Sequence, residues 1–194
     1  MYKRQGSHTV KALFLDRDGI VNVDHGYVGR YEDFEYVDGI FSLITRFENA
    51  GYKIIIVTNQ SGIARGLYSE DDFKALMSAV QQDFYQAGIG EVSVYFCPHH
   101  PEHGIGTYKK QCVCRKPNPG MLIQAAEDHS ISLPLSIMIG DSWRDIQAGQ
   151  EVNLSHCYYV SSKAPPPNAE LENVTQVTSL NDIGVLGIFP SKKT

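Results

Sequence analysis

Residues 13–19 read Leu13-Phe14-Leu15-Asp16-Arg17-Asp18-Gly19: an apolar run, two acids one residue apart, then a glycine where the backbone can turn. The run has the length and composition of a strand buried on both faces, as in a parallel sheet covered by helices. A carboxylate at the end of such a strand can attack phosphorus, and a second acid two residues on can pass a proton to the departing oxygen. The same pattern recurs downstream. Ile137-Met138-Ile139 leads into Gly140-Asp141-Ser142-Trp143-Arg144-Asp145, where Asp141 can hold a metal, and an apolar run at 54–57 leads into Thr58-Asn59-Gln60-Ser61-Gly62. Apolar runs at 92–96 and 157–160 complete the candidate strands.

Helical patterns at 40–49, 69–87, 120–128 and 143–150 alternate with these runs. The expected fold class is therefore α/β, a Rossmann-like, doubly wound, mainly parallel sheet. Ligands of such folds bind beyond the carboxyl ends of the strands, where Asp16, Asp18, Thr58 and Asp141 fall. Ser69 and Asp72 make a capping-box-like start to the second helix, with Asp in the place usually held by Glu or Gln. Either acidic cluster alone reads equally well as strand ends and helix caps. Together with the Thr58 hydroxyl and the cations of Arg115 and Lys116, they supply nucleophile, acid, metal ligand and phosphate donors.

At 194 residues the chain can build one substantial core. Residues 11–190 are read as one domain, between an N-terminal arm at 1–10 and a C-terminal tail at 191–194. Hydrophobic residues make up 42% and charged residues 20%, a soluble globular balance. No apolar run approaches the roughly 18 residues of a membrane helix, and the polar start lacks the apolar core of a secretory signal. A cytoplasmic location and no membrane partner are expected. The formal net charge of -5 argues against nucleic acid as a partner and leaves room for a local basic site that takes a small anion. No dimerisation pattern is visible, so a monomer is expected.

Cys97-Pro98-His99 and Cys112-Val113-Cys114 bracket an insertion at 97–117 that carries no helix or strand pattern. In a chain without a secretion signal such clustering points to metal rather than to disulfides. Cys97, His99, Cys112 and Cys114 make a closed tetrahedral Zn2+ set that would hold a loop with little core of its own. Spacing leaves His100 and His103 as alternatives to His99. Holding the loop would also hold Lys109, Lys110, Arg115 and Lys116 beside the acids. Cys157, inside an apolar run, is read as a core residue.

In Asp16-Arg17-Asp18-Gly19, Thr58-Asn59, Lys116 and Gly140-Asp141, taken in that order, the chain resembles the haloacid dehalogenase-like phosphatases. The resemblance spans most of the sequence. It implies Mg2+ bound by Asp16, Asp141 and the backbone carbonyl of Asp18, with Asp16 as the nucleophile that becomes phosphorylated. It further implies that Asp18 is the general acid and base, and that Thr58 and Lys116 hold phosphoryl oxygens. Two positions depart from the family pattern. Ile20 stands where Thr is usual and is assigned no catalytic role; Ser142 stands where Lys is usual, so no phosphate contact is assigned to it, and Arg144, Arg115 or Lys116 can supply charge there.

Longer strings, at 22–28, 58–66, 97–101 and 112–117, resemble the heptose bisphosphate branch of that family. This implies a sugar bisphosphate as the small-molecule partner and a place in ADP-heptose and lipopolysaccharide core synthesis. It implies substrate contacts from Asp24, His25, Gly26, Tyr27, Thr58, Asn59, Gln60, Ser61, Arg115 and Lys116. The histidinol-phosphate branch, with a similar core and zinc loop, is the alternative. A zinc-organised sugar-phosphate binder without turnover is the alternative of another class.

Overall fold

The computed structural model describes residues 9–185. The expected C-terminal tail lies outside the described residues, as does all of the expected arm except Thr9 and Val10. Val10 bridges to Ile131.

Six strands form one sheet in the order β3-β2-β1-β4-β5-β6. They are β1 (Lys11–Leu15), β2 (Tyr52–Asn59), β3 (Ser93–Cys97), β4 (Ile137–Gly140), β5 (His156–Val160) and β6 (Val174–Val177). Every neighbouring pair is parallel. The helices are α1 (Ile40–Asn49), α2 (Ser61–Ala64), α3 (Glu70–Gln86), α4 (Gly120–His129) and α5 (Trp143–Glu151). Two elements have no counterpart in the sequence reading. Strand β6 has exposed Thr175 and Gln176 between half-buried Val174 and Val177 and, among the described residues, pairs only with β5, so it lacks the apolar run of an inner strand. Helix α2 is a single turn, too short to show a period.

The inner strands read as continuous apolar runs because both faces are covered. Leu13, Leu15, Ile54, Ile56, Ile137 and Ile139 pack with α1 and α3. Their neighbours Ala12, Phe14, Ile55, Val57 and Met138 pack on the opposite side with α4 and α5. Helix α1 meets the sheet through Ile40, Leu43, Ile44 and Phe47, the spacing of one helical face. Ser69 caps α3 and is capped in return by Asp72. Among the described residues no helix is long and apolar enough to cross a membrane.

The direction in which successive strands are added reverses between β1 and β4, since β2 and β3 lie to one side of β1 and β4 to β6 to the other. Such a switch point opens a crevice at the carboxyl ends of its two strands. Leu15 is paired with Ile139, and the Asp16 N–H continues the ladder to the Ile139 carbonyl at 3.0 Å. That register sets the residues following β1 and β4 side by side.

Candidate active site

Asp16 lies at the floor of this crevice with 13% of its side chain exposed. Lys116, almost fully buried, reaches across from the insertion and donates to Asp16 Oδ1 at 2.7 Å and to the Val57 carbonyl at 2.7 Å. Its ammonium lies 2.6 Å from Asp145 Oδ1 as well. The other oxygen of Asp145 accepts the Ser142 N–H at 3.0 Å, closing a capping box at the start of α5. One buried cation thus faces several anions. Burial pushes the Asp16 carboxyl well above its usual range; the Asp145 charge adds to this and Lys116 opposes it. Asp141 is pushed up to about 6, again by burial first and by Asp145 second. For Lys116, burial pulls the ammonium down, but the charges of Asp145 and Asp16 win and hold it above its ordinary value.

Oxygen atoms of Asp16, Asp141 and Asp145 lie within 4.8 Å of one another. Carboxylates crowded beside a single ammonium are short of positive charge, and hard oxygen donors suit a small divalent cation such as Mg2+. Asp145 is already engaged with Lys116 and Ser142, which leaves Asp16 and Asp141 as the available side-chain ligands. The turn after β1 is shaped to admit them. Gly19 has φ +88°, and a Cβ there would fall 2.0 Å from Asp141 Oδ2, so both the backbone conformation and the close approach require glycine.

Asp18 is held beside Asp16 by donors on both of its oxygens. Oδ1 accepts from Arg17 Nη2 at 2.8 Å and Asn22 Nδ2 at 3.0 Å, and Oδ2 accepts from Gln60 Nε2 at 2.9 Å. Tyr68 donates its hydroxyl to Gln60 Oε1, which turns the amide nitrogen toward Asp18. Arg17 is entirely buried; it also donates to the Val28 carbonyl at 2.7 Å and lies over the rings of Phe34 and Phe73.

The insertion at 97–117 supplies the cations. Asn59 clamps the Lys116 backbone twice, accepting its N–H and donating to its carbonyl, each at 3.0 Å. Arg115 is tied back to the His99 carbonyl at 3.2 Å. Cys97, Cys112 and Cys114 bring their sulfurs together at 3.5, 3.1 and 3.3 Å, with His99 Nδ1 at 3.8 Å from Cys97 and 3.5 Å from Cys114. A tetrahedral zinc with bonds of about 2.3 Å to sulfur needs sulfur pairs roughly 3.7 Å apart, so a slight expansion of this cluster accommodates it. Hydrogen bonding with Cys97 holds Cys114 down at about 5, the thiolate form that a metal takes. His100 turns elsewhere: its Nδ1 accepts the backbone N–H groups of Glu102 and His103. Its ring packs at a tilt of 41° against His103, with centroids 4.8 Å apart. Of the three imidazoles, His99 is the one in the cluster.

Comparison with known proteins bears directly on this geometry. The chain is 43% identical over 154 residues to the D-glycero-beta-D-manno-heptose-1,7-bisphosphate 7-phosphatase of Vibrio cholerae, covering 79% of this chain and 83% of that one. It is 52% identical over 139 residues to the D-glycero-alpha-D-manno-heptose-1,7-bisphosphate 7-phosphatase of Burkholderia mallei, covering 72% and 74%.

The chain belongs to the haloacid dehalogenase-like phosphatase family.

This phosphatase is a phosphoric monoester hydrolase, which removes the alternative of a binder without turnover. Its residues 113–183 match the HAD-hydrolase-like family model. Its fold superposes with a TM-score of 0.74 on the D,D-heptose 1,7-bisphosphate phosphatase of B. bronchiseptica, complexed with magnesium and phosphate. The two are 28% identical over 88% of this chain and 94% of that one.

A cleft of about 330 Å³ over Asp16 is lined by most of the residues expected from sequence: Asp18, Asp24, Gly26, Tyr27, Asn59, Gln60, Ser61, Arg115, Lys116 and Asp141. Two expected residues of the phosphatase are placed elsewhere. His25 points away and meets Glu35 at 2.7 Å, along a neighbouring groove. Thr58 is fully buried and accepts from Gln60 Nε2 at 2.7 Å instead of lining the cleft. Ile20, the departure next to Gly19, is wholly core. The sequence reading assigned no role to Asp145, Tyr68 or Arg17. Asp145 carried a usable signal, as the third residue after Ser142 in the same capping pattern as Ser69 and Asp72. Nothing in the sequence marked Tyr68.

Proposed function

We propose that this phosphatase hydrolyses the C7 phosphate of D-glycero-D-manno-heptose 1,7-bisphosphate and releases heptose 1-phosphate. One observation carries the reading: a partly exposed Asp16 lies 2.7 Å from Lys116 in a cleft that Arg115 and Arg144 also line. Lys116 suits the phosphate that reacts and the two arginines the phosphate that stays. The names of the relatives from V. cholerae and B. mallei support the substrate.

Asp16 attacks phosphorus as its bond to the sugar oxygen breaks, and Asp18 gives that oxygen its proton. Asp18 then takes a proton from the water that cleaves the aspartyl-phosphate, which regenerates Asp16. Lys116 offsets charge on the transferring group and is held for this by Asn59, Val57 and Asp145. Asp16, Asp141 and the Asp18 carbonyl would hold Mg2+, which would supply the remaining positive charge that the reaction needs. Cys97, His99, Cys112 and Cys114 would hold a structural Zn2+, which would keep Arg115 and Lys116 in position. Asp24, Gly26, Tyr27, Gln60 and Ser61 line the sugar path. We read residues 11–190 as one cytoplasmic, monomeric domain whose product serves ADP-heptose and lipopolysaccharide core synthesis.

The test is phosphate release with and without Mg2+ from both heptose 1,7-bisphosphate anomers and from histidinol phosphate, with phosphorus NMR identifying which phosphate leaves. Preferred loss of the C7 phosphate is expected. Faster turnover of histidinol phosphate, or loss of the C1 phosphate, would reject the reading.

A further inference from the structure

Two of the cations that line the cleft, Arg115 and Arg144, are paired with no acid among the described residues. Arg115 and Arg144 both line the cleft above Asp16, and both also line an adjoining cavity of about 580 Å³. They therefore stand on the ridge between the two spaces. Arg115 spends one N–H on the His99 carbonyl. Arg144 is exposed, and its Nε lies 3.4 Å from the Ser142 hydroxyl. Among the described residues neither guanidinium is ion-paired with a carboxylate. Lys116, in contrast, is engaged by Asp16 and Asp145.

Like charges gathered without counter-ions oppose one another. An anion placed between the two would remove that repulsion. The planar forks are suited to phosphate oxygens, which they can engage through paired hydrogen bonds.

We propose that Arg144 is a specificity-determining residue of this phosphatase, which with Arg115 clamps the substrate phosphate that is not transferred. The proposal rests on the bisphosphate reading above and adds a residue to it. Ser142 steadies the Arg144 side chain through Nε and lines the same cleft. A lysine at position 142, the residue usual in the family, would deliver its ammonium to the same space, so Arg144 supplies from two residues on the charge that Ser142 lacks.

The experiment compares kcat/KM for heptose 1,7-bisphosphate and heptose 7-phosphate, and for fructose 1,6-bisphosphate and fructose 6-phosphate, in Mg2+. The proteins are the wild type, Arg144→Ala, Arg144→Lys, and Arg144→Ala combined with Ser142→Lys. Arg144→Ala is expected to cut the preference for bisphosphate over monophosphate by about tenfold, the effect of one charge-assisted hydrogen-bonded contact, mainly through KM. Arg144→Lys and the double variant should each restore part of it. Equal losses on both members of a pair, an unchanged preference, a loss that neither lysine rescues, or no bisphosphate preference in the wild type would each overturn the proposal. Failure of the heptose reading has a different signature: the fructose pair outpaces the heptose pair while the dependence on Arg144 persists.

Discussion

Asp16, Lys116 and Asp145 form a chain of contacts in which a single ammonium separates two carboxylates. Replacing Asp16 with Asn keeps the shape of the side chain and removes the anion proposed as nucleophile. Asp16→Asn is therefore expected to reduce phosphate release to background while circular dichroism shows an intact fold; near-normal turnover would contradict the covalent role. Asp145 makes a sharper test, because it is proposed to act only through Lys116. Asp145→Asn keeps a carbonyl able to cap Ser142 but weakens the charge-assisted hold on the ammonium, and kcat should fall by about tenfold to a hundredfold. Steady-state kinetics on a sugar phosphate and on a small generic phosphate should show the same loss, since the reacting group is common to both. Gly19→Ala should also lower turnover, since its methyl group would occupy the space of Asp141 Oδ2 in a left-handed backbone conformation. Magnesium binding measured by calorimetry should weaken with it; unchanged affinity would show that Asp141 is not a ligand.

Helices α3 and α5 begin in reciprocal caps. Ser69→Ala at the start of α3 should cost about 1 kcal/mol, read from urea unfolding. Its partner Asp72 adds a pH dependence whose sign follows from its hydrogen bonds. The Ser69 backbone N–H, and then the Ser69 side chain, hold the Asp72 carboxyl below its ordinary value. A lowered folded-state value gives stability that is full above the unfolded value of about 3.9 and is lost as pH falls through the lower folded value. The gap in Tm between wild type and Asp72→Asn should therefore be present at neutral pH and close below about pH 4; a gap constant from pH 7 to 3 would deny the link. The helices α1, α3, α4 and α5 were legible in sequence nearly to their ends, because caps and apolar periodicity are local. Strand β6 was not, since half-buried Val174 and Val177 become a strand only through the ladder that β5 offers.

Across the whole molecule, the parallel sheet and the insertion at 97–117 divide the labour: the sheet presents the acids and the insertion carries Arg115 and Lys116 to them. The insertion has few buried apolar groups besides Cys97, and its cysteine and histidine cluster is the feature that can rigidify it. One zinc per chain is expected from elemental analysis. Cys114→Ser should lower zinc content and kcat/KM while leaving the far-ultraviolet signature of the sheet and helices in place. Full activity in zinc-free, Mg2+-replenished protein would remove zinc from the account.

The sequence by itself determined that strands alternate with helices, that acids follow the first and fourth strands, and that three cysteines lie near histidines. Each of these is written in residues close together along the chain. Only the tertiary structure decided that His99 rather than His100 joins the cysteines, that His25 turns out to Glu35, and that Asp145 shares Lys116 with Asp16. Lys116 and Asp16 are 100 positions apart, and their meeting depends on the sheet order and on the path of an insertion that has no period of its own. Local patterns set what each segment can become. Which of its side chains face the cleft depends on packing between segments, where the direction of one bond decides whether an imidazole reaches a thiolate or a backbone N–H.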